Sequence, residues 1–356
     1  MIIDVVKVFV PAIAAFAIGA LITPFLTHYL YTYRAWKKRP GKLDLEGKEA
    51  SMFNRLHKDT EVSTPRMGGI VIWGSTLIVV ALLWALEQAF PSSPFEKLEF
   101  ISRSQTWIPL SLFFIGALIG LADDLLEIRD LPRFSQGLSL PLRLGAVAAL
   151  SGVAGWWFFD KLDVVSVGVP FAEPFTIGWL VVPLFVLAAL FIYASGVIDG
   201  IDGLAGGVFA AIFAAYAGIA FFQNQIDLAA FSATITGATL AFLWFNIPPA
   251  RFYMSETGTM ALTLALVTIA FMTDSLGDGH GLLSLGFVAF PLVATVLSNI
   301  IQLASRKLRK GKRVFKIAPL HHHFEAIGWP SYKVTMRYWV LSVMFAITGV
   351  AFALIG

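Results

Sequence analysis

The chain has 356 residues, of which 57% are hydrophobic and 14% charged, with a formal net charge of +3 and no cysteine. A soluble globular chain carries about 25% charged residues, so this composition points to a membrane protein and away from a water-soluble enzyme. The lack of cysteine excludes a disulfide framework, a thiolate metal site and a cysteine nucleophile.

In chain order, ten stretches contain no Asp, Glu, Lys or Arg: Val8–Tyr33, Met67–Leu86, Ser104–Ala122, Leu144–Phe159, Pro174–Ile198, Gly203–Ile226, Leu228–Ala250, Thr257–Thr273, Gly279–Ser305 and Tyr338–Gly356. A bilayer core is crossed by about 20 apolar residues in a helix. The pattern predicts an all-α polytopic membrane protein of about ten transmembrane helices, a single domain over residues 1–356. Leu144–Phe159 is the shortest stretch. The first stretch is too long for a cleaved signal peptide, and Met1–Val6 holds Asp4 but no Lys or Arg, so it reads as a retained first span.

Lys and Arg segregate by loop. Those after the first, third, seventh and ninth stretches hold 21 of the 26 cations. The positive-inside rule then puts these loops in the cytoplasm and both termini on the outer side. The cytoplasmic segments are about 34–66, 127–143, 199–203, 246–258 and 306–336. Orientation accounts for the basic balance, and no nucleic-acid partner is expected.

The unusual polar residues all fall at that cytoplasmic boundary. Asp123 and Asp124 close the third stretch in LIGLADDLLEI, and Asp199 and Asp202 close the fifth in YASGVIDGIDGLAGG. Asn246 ends the seventh, Glu256 follows in FNIPPARFYMSETGTM, and His321, His322 and His323 lie in IAPLHHHFEAIGW. One carboxylate at a helix end is ordinary, but ionisable groups near membrane depth are costly. Adjacent Asp123 and Asp124 repel unless a cation or proton separates them. A continued helix would place Asp199 and Asp202 on one face. An all-oxygen set favours Mg²⁺ or Ca²⁺ over zinc, and Mg²⁺ commonly takes one or two carboxylates plus substrate phosphates.

Three successive histidines cannot easily converge on one ion if helical, since neighbours point about 100° apart. Donors to an anionic substrate fit them better. The run Arg306–Lys316 serves orientation, with phosphate contact secondary. Glycines at 68, 69, 200, 203, 206 and 207 suit close ligand approach and close helix packing equally. None forms a Walker or Rossmann pattern.

In order, STPRMGG, ADDLLEI, VIDGIDGLA, LWFNIPPARFYMSETG and APLHHHFEAIGW resemble the polyprenyl-phosphate N-acetylhexosamine-1-phosphate transferases. The resemblance runs from about Ser63 to Trp339, and the PLHHHFE…GW element is its most specific part. It implies an enzyme that moves phospho-MurNAc-pentapeptide from UDP-MurNAc-pentapeptide to undecaprenyl phosphate, giving lipid I and UMP. Such an enzyme serves peptidoglycan synthesis in the bacterial inner membrane, uses Mg²⁺, faces the cytoplasm and leaves room for a homodimer. Carried over by position, Asp123, Asp124 and His322 are the catalytic residues, with Asp123 as base. Glu256 falls where the metal-binding Asp stands. Asp199, Asp202, Asn246, Tyr253, His321 and His323 fall in the substrate site, with Tyr253 against uracil.

The chain departs from the pattern at several positions. Glu256 replaces Asp, Ser255 a Gly, Gly196 an Asn, Glu61 a Lys (with Lys58 nearby), Arg66 a Thr and Glu127 a Lys. Three other readings stand beside this one: a sibling transferase using UDP-GlcNAc, a catalytically silent homologue, and a transporter. The last would want midplane ionisable groups and inverted repeats, and neither is found.

Overall fold

The computed structural model describes residues 2–38, 62–91, 97–129, 137–274, 276 and 279–355. Lys58, Glu61 and much of the two loops 34–66 and 127–143 lie outside the described residues. The helices are α1 (Ile2–Thr32), α2 (Gly69–Ala89), α3 (Trp107–Arg129), α4 (Leu140–Lys161), α5 (Val181–Ala194), α6 (Leu204–Phe222), α7 (Ile226–Asn246), α8 (Ser255–Met272), α9 (Gly281–Val288), α10 (Phe290–Leu308), α11 (Leu320–Ala326) and α12 (Ser331–Ile355). Short 3₁₀ turns at Gly178–Leu180 and Ser195–Ile198 flank α5. A two-residue antiparallel pair, β1 (Ser166–Val167) with β2 (Phe175–Thr176), sets Ser166 opposite Thr176.

Nine helical segments among the described residues are long and apolar enough to cross a membrane. The pair α9 and α10, bent by 74°, makes a tenth if it counts as one span. The bend falls where Pro291 opens α10, a position proline tolerates because the first helical amide lacks an intrahelical acceptor. These segments coincide with the ten charge-free stretches, so the protein is a multi-pass membrane protein.

Burial orders the bundle. α8 is central, 94% buried over its apolar window, while α1 is only 22% buried and α4 and α12 are 28%. Outer helices show large apolar side chains outward, such as Phe25 on α1 and Val340 on α12. In lipid this is where such residues belong, because hydrocarbon replaces protein as their apolar surroundings. Inside, Thr259, Thr263 and Thr268 of α8 return their hydroxyls to carbonyls four residues earlier, satisfying them where no water reaches. α3 lies close along α8. At Gly120 a β-carbon would sit 2.1 Å from the Glu256 carbonyl oxygen, so only glycine admits this crossing. That crossing brings the end of α3 to the start of α8.

At the other end of the bundle, buried Asp274 ties the residue after β1 to the first turn of α9. Its Oδ1 accepts the Gly168 amide at 2.8 Å and its Oδ2 the Leu282 amide at 2.9 Å. Replacing Asp274 by Ala leaves two amides without acceptors, at a cost on the order of 2 kcal/mol. The expected outcome is a lower Tm in detergent.

Candidate active site

The carboxylates meet where α3 ends and α8 begins. Asp123, 1% exposed, accepts the Leu138 backbone amide on Oδ1 and has Arg143 Nη1 3.7 Å from Oδ2. Arg143, in the first turn of α4, lies 2.6 Å from Glu256 Oε1. The Tyr193 hydroxyl donates to Glu256 Oε2 at 3.1 Å. Asp123 and Glu256, 133 positions apart, thus share one guanidinium. Gly137 makes the amide contact feasible: its φ is +73°, and a β-carbon there would lie 2.6 Å from Asp123 Oδ1.

Asp124, fully buried, belongs to a second set. Its Oδ1 accepts Arg66 Nε and Nη2 at 3.2 and 3.1 Å, and its Oδ2 accepts the Thr257 amide and hydroxyl at 2.9 and 2.6 Å. Arg66 Nη2 also reaches Glu127 Oε2 at 3.0 Å, and Lys37 Nζ reaches Glu127 Oε1 at 3.1 Å. Burial works against the charge on Arg66, but the Glu127 and Asp124 carboxylates more than offset it, so its pKa is raised above the ordinary arginine value.

Asp199 and Asp202 do not lie on a continued helix. The 3₁₀ turn ends at Ile198, and Gly203 takes φ +74° to start α6. From this turn Asp199 Oδ2 accepts the Ser255 amide at 2.7 Å, and Asp202 Oδ2 accepts the Ala250 amide at 2.9 Å. Asn246 spans the same gap, accepting from the Gly203 amide at 3.0 Å and donating to the Phe252 carbonyl at 2.8 Å. From α12, Trp339 Nε1 donates to the Gly203 carbonyl and the Thr335 hydroxyl to the Asp202 carbonyl, each at 3.0 Å. The turn is thereby clamped against the loop that precedes Glu256.

Two of the three histidines converge on this turn, although they are consecutive in α11. A β-carbon at Gly200 would lie 2.7 Å from His322 Nε2 and 3.0 Å from His321 Nε2. His322 Nδ1 pairs with Glu325 Oε2 at 2.6 Å, and Ser331 donates to the other oxygen of Glu325. With Nδ1 donating to Glu325, Nε2 accepts when the ring is neutral and donates when it is charged. His323 turns aside, its Nδ1 accepting the Lys316 amide at 3.1 Å and its ring lying edge-on to Phe315. Half-buried Tyr253 is placed through its backbone, its amide donating to the Pro65 carbonyl at 2.9 Å and its carbonyl accepting the Gly68 amide at 2.8 Å. This joins the STPRMGG segment to the ends of α7 and α8.

Asp123 and Glu256 thus meet at Arg143, Asp124 at the neighbouring Thr257, Asp199, Asp202, Asn246 and Tyr253 in the loop before α8, and His321 and His322 against Gly200. Sequence reasoning misses Arg143 and Lys37, which count there only toward orientation, and Tyr193 and Thr257, which look like span residues. The visible signal for Arg143 is its position directly before a charge-free stretch. The structure also locates two departures at once, since Arg66 and Glu127 touch.

The arrangement defines a polytopic membrane protein with a closed, charged centre at one end of its bundle. Residues 106–274 match the family described as Glycosyl transferase family 4. The chain is 33% identical over 290 residues to the phospho-N-acetylmuramoyl-pentapeptide-transferase of Anoxybacillus flavithermus, covering 81% of this chain and 83% of that protein. It is 34% identical over 294 residues to the protein of the same name from Shouchella clausii, covering 81% and 82%. Against that from Chloroflexus aggregans the identity is 28% over 368 residues, covering 99% and 91%. The chain belongs to the phospho-N-acetylmuramoyl-pentapeptide-transferases, within glycosyl transferase family 4.

Ser255 adopts φ +58°, the left-handed region that favours glycine, and its buried hydroxyl has no hydrogen-bond partner among the described residues. Ser255→Gly removes both penalties. It is expected to stabilise the protein by about 1–2 kcal/mol, read as a higher Tm in detergent. Gly137→Ala is expected to lower activity sharply, because its methyl group displaces the Asp123 carboxylate.

Proposed function

We propose that the chain, working as one domain over residues 1–356, transfers phospho-MurNAc-pentapeptide from UDP-MurNAc-pentapeptide to undecaprenyl phosphate. The products are lipid I and UMP, at the cytoplasmic face of the bacterial inner membrane, with both termini on the outer side. The kinship above supports the reaction class. The observation that carries the site assignment is a charge imbalance between the two buried sets. Among the described residues, Asp124 and Glu127 face two cations, Arg66 and Lys37, whereas Asp123 and Glu256 share one, Arg143, and there lie one positive charge short.

That deficit fits Mg²⁺. The donors are all oxygen, and Mg²⁺ is commonly bound by one or two carboxylates together with substrate phosphates. Among the described residues no group of three or more His, Asp and Glu is arranged to hold a metal ion. Glu256 would hold the ion, with Asp123 beside it. When bound, Mg²⁺ neutralises charge on the diphosphate and on departing UMP.

The chain's own residues supply position and charge, which is most of what phosphoryl transfer asks of a protein. Asp123 takes the proton of the undecaprenyl phosphate monoester, freeing an oxygen to attack the phosphorus that carries the sugar. A new P–O bond forms as the bond to the UMP oxygen breaks, and UMP leaves with that oxygen. Arg143 stands at the same point to receive charge from the diphosphate. His321 and His322 offer Nε2 atoms beside the Asp199–Asp202 turn, where the pyrophosphate or sugar lies in this reading. Asp199, Asp202 and Asn246 shape that wall, and Tyr253 lies against uracil, while His323 faces Lys316 and Phe315.

Purified protein with undecaprenyl phosphate and Mg²⁺ is expected to release UMP from UDP-MurNAc-pentapeptide and not from UDP-GlcNAc. The reverse preference would move the chain to the sibling reaction. Silence with both would make it an inactive homologue. EDTA should abolish release and added Mg²⁺ restore it. Asp123→Asn should lower kcat roughly 10²- to 10⁴-fold while UDP-sugar binding persists; an active variant rules that role out. Tyr253→Ala should weaken nucleotide binding more than Tyr253→Phe, whereas equal effects would leave Tyr253 an interfacial aromatic.

A further inference from the structure

The second charged set is built too tightly to react and too close to the first to be incidental. Asp124 Oδ1 takes two donors from Arg66 and Oδ2 takes two from Thr257. A carboxylate has about four acceptor positions, so Asp124 has none left for a metal or a proton unless these contacts break. Its sequence neighbours show what it holds. Asp123 precedes it on α3, and Glu256 precedes Thr257 on α8. The bridge Arg66–Asp124–Thr257 therefore fixes how far apart the Asp123 and Glu256 carboxylates stand around Arg143.

Arg66 is itself held from behind. Glu127 lies one helical turn beyond Asp124 on the same face of α3, and Arg66 Nη2 spans both carboxylates. Lys37, beyond the end of α1, closes the far oxygen of Glu127. Arg66 comes from the loop before α2, whose next residues pair with the backbone of Tyr253 and Met254. The guanidinium itself joins the loop before α2 to α3, and Thr257 of α8 and Lys37 beyond α1 are tied in through the two carboxylates, which are at most 8% exposed.

We infer that Arg66, backed by Glu127 and Lys37, is a positioning residue for the transfer step. Through Asp124 and Thr257 it sets the spacing of Asp123 and Glu256, and Asp124 itself holds the frame and does not react. The inference rests on the transferase reading above. It makes the two departures at 66 and 127 a single contact, in which the cation beside the acidic pair comes from the loop before α2 and not from α3.

The test uses the full chain in detergent with undecaprenyl phosphate, UDP-MurNAc-pentapeptide and Mg²⁺, reading kcat, KM and Tm together. Arg66→Gln is expected to lower kcat about 100-fold with KM for the nucleotide sugar changed less than about 3-fold. Adding Glu127→Lys to that variant returns a cation to within reach of Asp124 and is expected to recover at least about 10-fold of the loss. Arg66→Lys keeps the charge but loses the fork and should fall between; it carries the test where Arg66→Gln does not fold. A folded Arg66→Gln with kcat within about 3-fold of wild type overturns the inference. So does a loss that appears in KM alone, or a folded Arg66→Gln/Glu127→Lys with no recovery. Wild-type protein that releases no UMP from either nucleotide sugar overturns the transferase reading, and this inference with it.

Discussion

Burying carboxylates at the end of an apolar bundle is costly, and the rest of this architecture follows from how that cost is met. An isolated ionised carboxylate in a low-dielectric interior is strongly destabilised unless it is paired and hydrogen-bonded. Here each acidic side chain of the site is met by cations or by main-chain amides. Asp124 and Glu127 are closed by Arg66 and Lys37, Asp123 by Leu138 and Arg143, and Glu256 by Arg143 and Tyr193. Asp199 and Asp202 take amides from the loop before α8. These contacts join helices distant in sequence, so the electrostatic requirement also dictates which helix ends must meet.

The division of labour between the two sets follows from their charge balance. A balanced, saturated set resists change and makes a good frame. The other set, with one cation for two carboxylates among the described residues, has less to hold it in place. Placing the two on consecutive residues of α3 couples frame to centre with no intervening flexibility, because Asp123 and Asp124 share one helical backbone. The same device recurs at Glu256 and Thr257 on α8.

Much of this fold is legible in the sequence for a simple reason. In a bilayer the absence of charge over about 20 residues is itself the structural signal, and nine of the ten stretches foretell single helical spans, while the ninth stretch, Gly279–Ser305, is broken by the 74° bend between α9 and α10 that the pattern does not show. The acidic and histidine positions are legible because charge is rare here and stands out. Partnership is less so. Arg66 and Glu127 read separately as a gained and a lost cation, since nothing in a linear chain marks residue 66 as lying 3.0 Å from residue 127. Arg143 reads as one more basic residue of a loop. The triple histidine is half legible: neighbours about 100° apart do not easily meet at one ion, yet His321 and His322 both place Nε2 against Gly200. Ser255 shows the converse, where a resemblance expects glycine and the backbone keeps a glycine conformation under a serine side chain.

The amide of Leu138 that meets Asp123 has a consequence for how this site tolerates variation. A side-chain donor can be removed by one nucleotide change, but a backbone amide is present whatever residue occupies position 138, proline excepted. Drift at 138 therefore leaves the contact intact. The vulnerability moves one residue upstream, to Gly137, where almost any replacement intrudes on the carboxylate. A selected population of variants should thus be permissive at one position and nearly invariant at its neighbour, a contrast set by the geometry of the main chain and independent of the chemistry of either side chain.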